Sequence, residues 1–228
     1  MADSRSLTLN VLVGFAFAGL AGSAQNVPNL KAFSATVEDT FTRTLADGNI
    51  VTKTVTGQYY RDAQGRSRLE RGQIITIKDP TTRTVAIVDS STNTVKRFVA
   101  SPSPEATSSS TAVSMGDATA HHPARTDLGT RVLSGVPVKG TRATFTIPGG
   151  AIGNLHPLTQ TTEIWRSDDL AVAVEVKSID PINGEHIQVF TNIVTGVTVD
   201  PSQFAIPAGA QITDVQAPQK NAASQRLR

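Results

Sequence analysis

Four histidines, His121, His122, His156 and His186, are by type the side chains best suited to proton transfer or metal ligation in this chain. Their settings argue against both uses. His121 and His122 lie in a stretch dominated by Ser, Thr, Pro and Ala, which reads as a solvated loop. His156 sits between Leu155 and Pro157 in a loop, and His186 opens a strand, where the pattern places it on the wet face. No spacing puts two histidines on one element beside a carboxylate, so no metal site is expected. A Ser-His-Asp triad is assembled in space and leaves no fixed spacing to read. The G-x-S-x-G elbow and the phosphate-binding G-x-x-x-x-G-K-[ST] loop are both absent. Gly149-Gly150-Ala151-Ile152-Gly153 is glycine-rich, yet it lacks the strand-to-helix setting of a dinucleotide site and reads as a turn. No catalytic residue and no cofactor is assigned.

Three further groups carry chemistry. Asp79, Asp180 and Asp200 each precede a proline; no loop around them supplies the several oxygens that calcium needs, and aspartate before proline favours turn initiation. Tyr59, Tyr60, Arg61, Arg66, Arg68 and Arg71 form a cationic stretch suited to phosphate or lipid headgroups, diluted by Asp62 and Glu70. The competing reading is a solvated hairpin whose arginines block edge-to-edge pairing. Trp165, the one tryptophan, suits either a ligand cavity or ordinary core.

Composition narrows the classes. A net charge of +2 over 228 residues is close to neutral, and aromatics are only 5%, so neither a basic nucleic-acid footprint nor a base-stacking platform is present. The absence of cysteine removes disulfides, thiolate metal sites and a lipid-modified cysteine.

The elements that must position these groups are almost all strands. Residues 1–24 read as a signal peptide: Arg5, an apolar run from Leu7 to Leu20, then Gly22-Ser23-Ala24 before Gln25. No later segment is apolar enough to cross a membrane as a helix, so the processed chain is not expected to span one. From Phe33 to Leu45 apolar and polar residues alternate strictly, the mark of a strand with one buried and one wet face. Asp39 and Arg43 interrupt the apolar side, so part of that face is not dry core. Asp47-Gly48 predicts a tight hairpin. Strands of similar grammar follow to residue 100, residues 101–125 read as a flexible low-complexity loop, and residues 126–215 resume the strands of the same domain before a disordered tail, 216–228. Asn183-Gly184 marks another hairpin, and a short helix fits Pro201 to Phe204. The expected fold is all-β and mainly antiparallel, one curved sheet or half-barrel of roughly ten or eleven strands, with few helices.

Two segments carry a resemblance. Glu163 to Leu170, followed by the alternating Ala171 to Lys177, resembles the tryptophan-containing hairpin of outer-membrane lipoprotein-sorting proteins. Asp180 to Gly184, Thr191-Asn192-Ile193 and Asp200 to Pro207 are similar to the closing run of that family. Tyr59 to Asp62, with Gly65 and Arg66, is similar to a stretch of uncharacterised secreted bacterial proteins. The resemblance implies a half-barrel wrapped around an apolar cavity, in the periplasm or secreted, whose relatives hold or sense lipoprotein acyl chains. The helices that plug the cavity in that family are not legible here.

Three functions remain open on these grounds. An exported binding or carrier module predicts a cleft for lipid or acyl chains lined by Val37, Phe41, Tyr59, Trp165 and Val172, with lipid or a lipidated protein as partner. A structural or interaction protein meeting envelope partners predicts a filled core. An enzyme would require a polar pocket holding His156 or His186 beside a carboxylate.

Overall fold

The structure, a computed structural model, describes residues 30–99 and 123–216. The expected signal peptide, residues 101–122 of the expected loop and residues 217–228 of the expected tail lie outside the described residues. Twelve strands form one sheet: β1 (Phe33–Thr44), β2 (Ile50–Arg61), β3 (Ser67–Arg71), β4 (Ile74–Asp79), β5 (Thr84–Asp89), β6 (Thr94–Val99), β7 (Ala124–Leu133), β8 (Val136–Ile147), β9 (Leu158–Ser167), β10 (Val172–Asp180), β11 (Gly184–Thr195) and β12 (Gln211–Gln216). Their order is β12-β6-β5-β4-β3-β2-β1-β11-β10-β9-β8-β7. The expected all-β, single-sheet architecture is what forms: an open, curved, mostly antiparallel sheet. Its two halves are joined by β1, which pairs with β2 on one side and β11 on the other.

Local chemistry explains the hairpins. Asp79 Oδ1 accepts from the backbone N–H groups of Thr81 and Thr82, and Asp180 Oδ1 from those of Ile182 and Asn183. Asp200 caps a single 3₁₀ turn, Pro201–Phe204, by accepting from Ser202 N. All three Asp-Pro steps are therefore Asx turns, as turn chemistry requires. Asp89 repeats the device with Ser91 ahead of β6.

Cross-strand partners share a face, so the pairing traces each face across the sheet. On the first, Val37 lies opposite Phe190 and Gly57, and Ala35 opposite Tyr59, which in turn lies opposite Leu69. On the second, Glu38 lies opposite Thr56, Gln58 opposite Glu70, Glu70 opposite Ile75, Ile75 opposite Val88 and Val88 opposite Val95. Each face has its own buried region. Phe33, Ala35, Val37, Leu69 and Phe190 are buried on the first. Ile77, Ala86, Val88 and Val95 are buried on the second, under Phe204, with Val199, Ile206 and Ala210 packed around them.

That second core explains the one element the hydrophobic pattern missed. After β11 the chain crosses the second face, seats Phe204 there and adds β12 in parallel to the free edge of β6. Arg68 Nη1 donates to Gln203 O, and Arg97 grips Asp214 through two hydrogen bonds. Exposure along β12 hides any period, so it reads as a tail. β8 runs unbroken through Lys139-Gly140-Thr141, and β7 begins at Ala124, inside the segment expected to be loop.

Candidate functional site

The first face carries the candidate site, and β1 is its axis. At one end, Phe33, Tyr59 and Phe190 form an aromatic cluster, with ring centroids 5.3 Å apart for Phe33–Tyr59, 5.0 Å for Tyr59–Phe190 and 6.2 Å for Phe33–Phe190. Phe33 and Val37 are 0% exposed. Period-two alternation puts them on one side of β1, and the β1–β2 and β1–β11 registers bring the other two rings beside them. Phe41, Val55 and Val176 extend this apolar surface in half-buried positions.

The other end is polar. Asp39, 2% exposed, faces the same side as Val37. Its Oδ1 accepts from Gln188 Nε2 at 2.9 Å and lies 3.0 Å from His186 Nε2, and its Oδ2 lies 2.7 Å from Arg71 Nε. Burial alone would raise this carboxyl. The hydrogen bond from His186, the Arg71 charge and the hydrogen bond from Gln188 outweigh it and hold the group below the usual carboxylate value. Gly57 makes the arrangement possible. Arg71, on β3, must reach past β2 to meet Asp39 on β1, and a Cβ on Gly57 would collide with the Glu70 carbonyl oxygen and come within 3.0 Å of Arg71 Cγ.

His186 therefore does not occupy the wet face expected for it. It lies opposite Phe41, stacked on that ring at 4.3 Å and 3°. The reason is register: β11 pairs with β1 so that every second residue from His186 to Phe190 joins the Asp39 side. Ser178 lies opposite His186 across the β10–β11 pair, but among the described residues no hydrogen bond joins them. The imidazole is held between a carboxylate and a phenyl ring, an arrangement that anchors a buried acid.

Of the five residues expected to line one cleft, the structure puts Val37, Phe41 and Tyr59 on one face, with Asp39 between Val37 and Phe41, and places Trp165 and Val172 on the other. Glu38 lies opposite Val189, Val189 opposite Glu175, and Glu175 opposite Trp165, so Trp165 is on the second face. Val172 lies opposite Ser167, two residues from Trp165, and shares that face. There Trp165 lies across Gly140, with the Arg131 guanidinium 3.7 Å from its ring centroid and Glu175 paired with Arg131 at 2.7 Å. Its indole packs over that glycine. Sequence reasoning missed Gln188, the partnership of Asp39 with His186, and the burial of Arg61. The interruption of the apolar stripe at Asp39 was the available signal.

No helix among the described residues is long and apolar enough to cross a membrane, and no group of three or more His, Asp or Glu among them is arranged to hold a metal ion. No protein-family model matches the chain, and no curated protein matches it. Several solved structures are similar to it. An uncharacterised conserved protein from Thermus thermophilus is 12% identical, with a TM-score of 0.45 over 81% of this chain and 90% of that one. MucB in complex with MucA(peri) is 14% identical, with a TM-score of 0.44; the match covers 81% of this chain and only 57% of that one. A domain described as that of an outer membrane lipoprotein-sorting protein, from Vibrio parahaemolyticus, is 9% identical, with a TM-score of 0.31 over 76% of this chain and 88% of that one.

Proposed function

We propose that this chain is an exported, non-enzymatic binding or carrier protein of the cell envelope that holds an apolar chain, such as an acyl chain, against the Val37 face of its sheet. The observation that carries this reading is the aromatic and aliphatic cluster on that face, Phe33, Ala35, Val37, Tyr59 and Phe190, with the half-buried Phe41, Val55 and Val176 around the polar group at Asp39. Outside the sheet, the single described element is the 3₁₀ turn at Pro201–Phe204, and it packs on the opposite face. Aromatic and aliphatic lining interrupted by a few placed polar groups is the usual make-up of a small-molecule site.

Native mass spectrometry of the protein recovered from a periplasm without detergent tests the reading. The expected spectrum contains a species heavier than the chain by one lipid, or one that appears on adding palmitate. A spectrum of bare chain that takes up no palmitate overturns it and favours an envelope interaction protein with a filled core.

A further inference from the structure

Arg71 and Arg61 are both drawn into the first face, and among the described residues only Arg71 has a carboxylate within reach. Arg71 has Asp39. Arg61, at the end of β2, lies opposite Phe33 on one side and Ser67 on the other, and is 5% exposed. Its Cζ sits 4.7 Å from the centroid of the Phe33 ring. One N–H donates to the Lys31 carbonyl at 2.9 Å, while Nε is buried without an acceptor. Among the described residues no carboxylate lies within ion-pair distance of it. The adjacent Asp62 is engaged elsewhere: its Oδ1 accepts from Arg66 N and its Oδ2 from Arg66 Nε at 2.6 Å. Burial lowers the Arg61 guanidinium from its ordinary value; Tyr59 and Asp62 oppose that, and the nearby Arg166 adds to it.

A buried cation without a counter-charge is among the most unfavourable arrangements a protein core can hold. A planar guanidinium with an unmet N–H is also the group best shaped to take a carboxylate or phosphate. Here it lies beside the aromatic cluster, with Tyr59 two residues before it and Phe33 against its face. The Asp39 cluster lies on the same face six residues along β1 from Phe33, roughly 20 Å at the rise of an extended strand.

We propose that Arg61 is the headgroup-binding residue of this site, and that the molecule bound is an acyl chain ending in a carboxylate or phosphate. The proposal rests on the binding reading above and names its ligand class. It commits to an amphiphile, with the anion on Arg61 and the chain running along Phe33, Tyr59, Phe190 and Val37.

Isothermal titration of the delipidated full chain with dodecanoate, dodecyl phosphate, dodecanol and inorganic phosphate tests it, alongside Arg61→Gln and Arg61→Lys. Both anionic amphiphiles are expected to bind at least about tenfold more tightly than dodecanol. That ratio should fall towards one in Arg61→Gln and be partly kept in Arg61→Lys, with inorganic phosphate alone giving no heat. Equal affinity for dodecanoate and dodecanol overturns the headgroup assignment and leaves the apolar site standing. Binding of inorganic phosphate as tight as that of dodecyl phosphate overturns the acyl part, and binding of none of the four overturns the underlying reading. If Arg61→Gln fails to fold by circular dichroism, the wild-type ratio and Arg61→Lys still decide the matter.

Discussion

Replacing Asp39 by Asn should destabilise the fold more than any comparable polar substitution on the sheet. The carboxylate is 2% exposed and serves Arg71, His186 and Gln188 at once. An amide keeps the shape and removes the charge that faces Arg71 and His186. Breaking a buried ion pair from one side costs about 3–5 kcal/mol, against a whole-domain stability of about 5–15 kcal/mol. The loss should appear as a lower urea midpoint with an unchanged slope, followed by circular dichroism and by Trp165 fluorescence from the opposite face. Removing both partners, as Asp39→Val with Arg71→Met, should cost far less than the sum of the single changes, with a coupling of about 2 kcal/mol. The pH dependence follows from the lowered carboxyl. Because the folded group titrates below its unfolded value of about 3.9, its stabilisation is complete above that pH and is lost as the pH falls through the folded value. The native chain should thus lose stability below about pH 4 more steeply than Asp39→Asn. A single-variant cost under about 1 kcal/mol, or a coupling of zero, would refute the reasoning.

Other perturbations test other parts of the sheet. Gly140→Ala would place a Cβ 2.6–2.7 Å from three carbons of an indole already held by Arg131, so a loss of about 1–3 kcal/mol and a shifted Trp165 emission are expected in urea titration. Phe204→Ala should cost about 3–5 kcal/mol and release amide protection across β4, β5 and β6, read by hydrogen exchange, because that ring caps the second core. Arg83 adopts φ 53° in the β4–β5 turn, where the equivalent residue of the next turn, Asn93, adopts 51°. Arg83→Asn should therefore raise the thermal midpoint, corresponding to a gain of up to about 1 kcal/mol, and Arg83→Val should lower it.

Much of this protein is legible from local chemistry. Strict alternation from Phe33 fixes the inward side of β1, because side chains on a strand change face at every residue. Asp-Pro and Asx residues stop strands wherever their carboxylates can cap the next turn, and this sets the hairpins at Asp79, Asp89 and Asp180. Those same signals yield an antiparallel sheet of short-range neighbours and put Val37 and Phe41 on one surface.

What local chemistry leaves open is decided by register over long distances. A two-residue turn at Asp47-Gly48 would pair Ala46 with Asn49, whereas the observed loop closes through Leu45 N and Asn49 O, and one residue of slip would have sent Arg61 and Tyr59 to the other face. The β1–β11 pairing joins Asp39 to partners 147 and 149 residues further along the chain; it alone brings His186 and Gln188 to that carboxylate and carries Trp165 to the far side. The parallel addition of β12 is likewise set by the seat of Phe204, not by any period in Gln211–Gln216. A strand's own residues specify which of them share a side; only its neighbours specify which side that is.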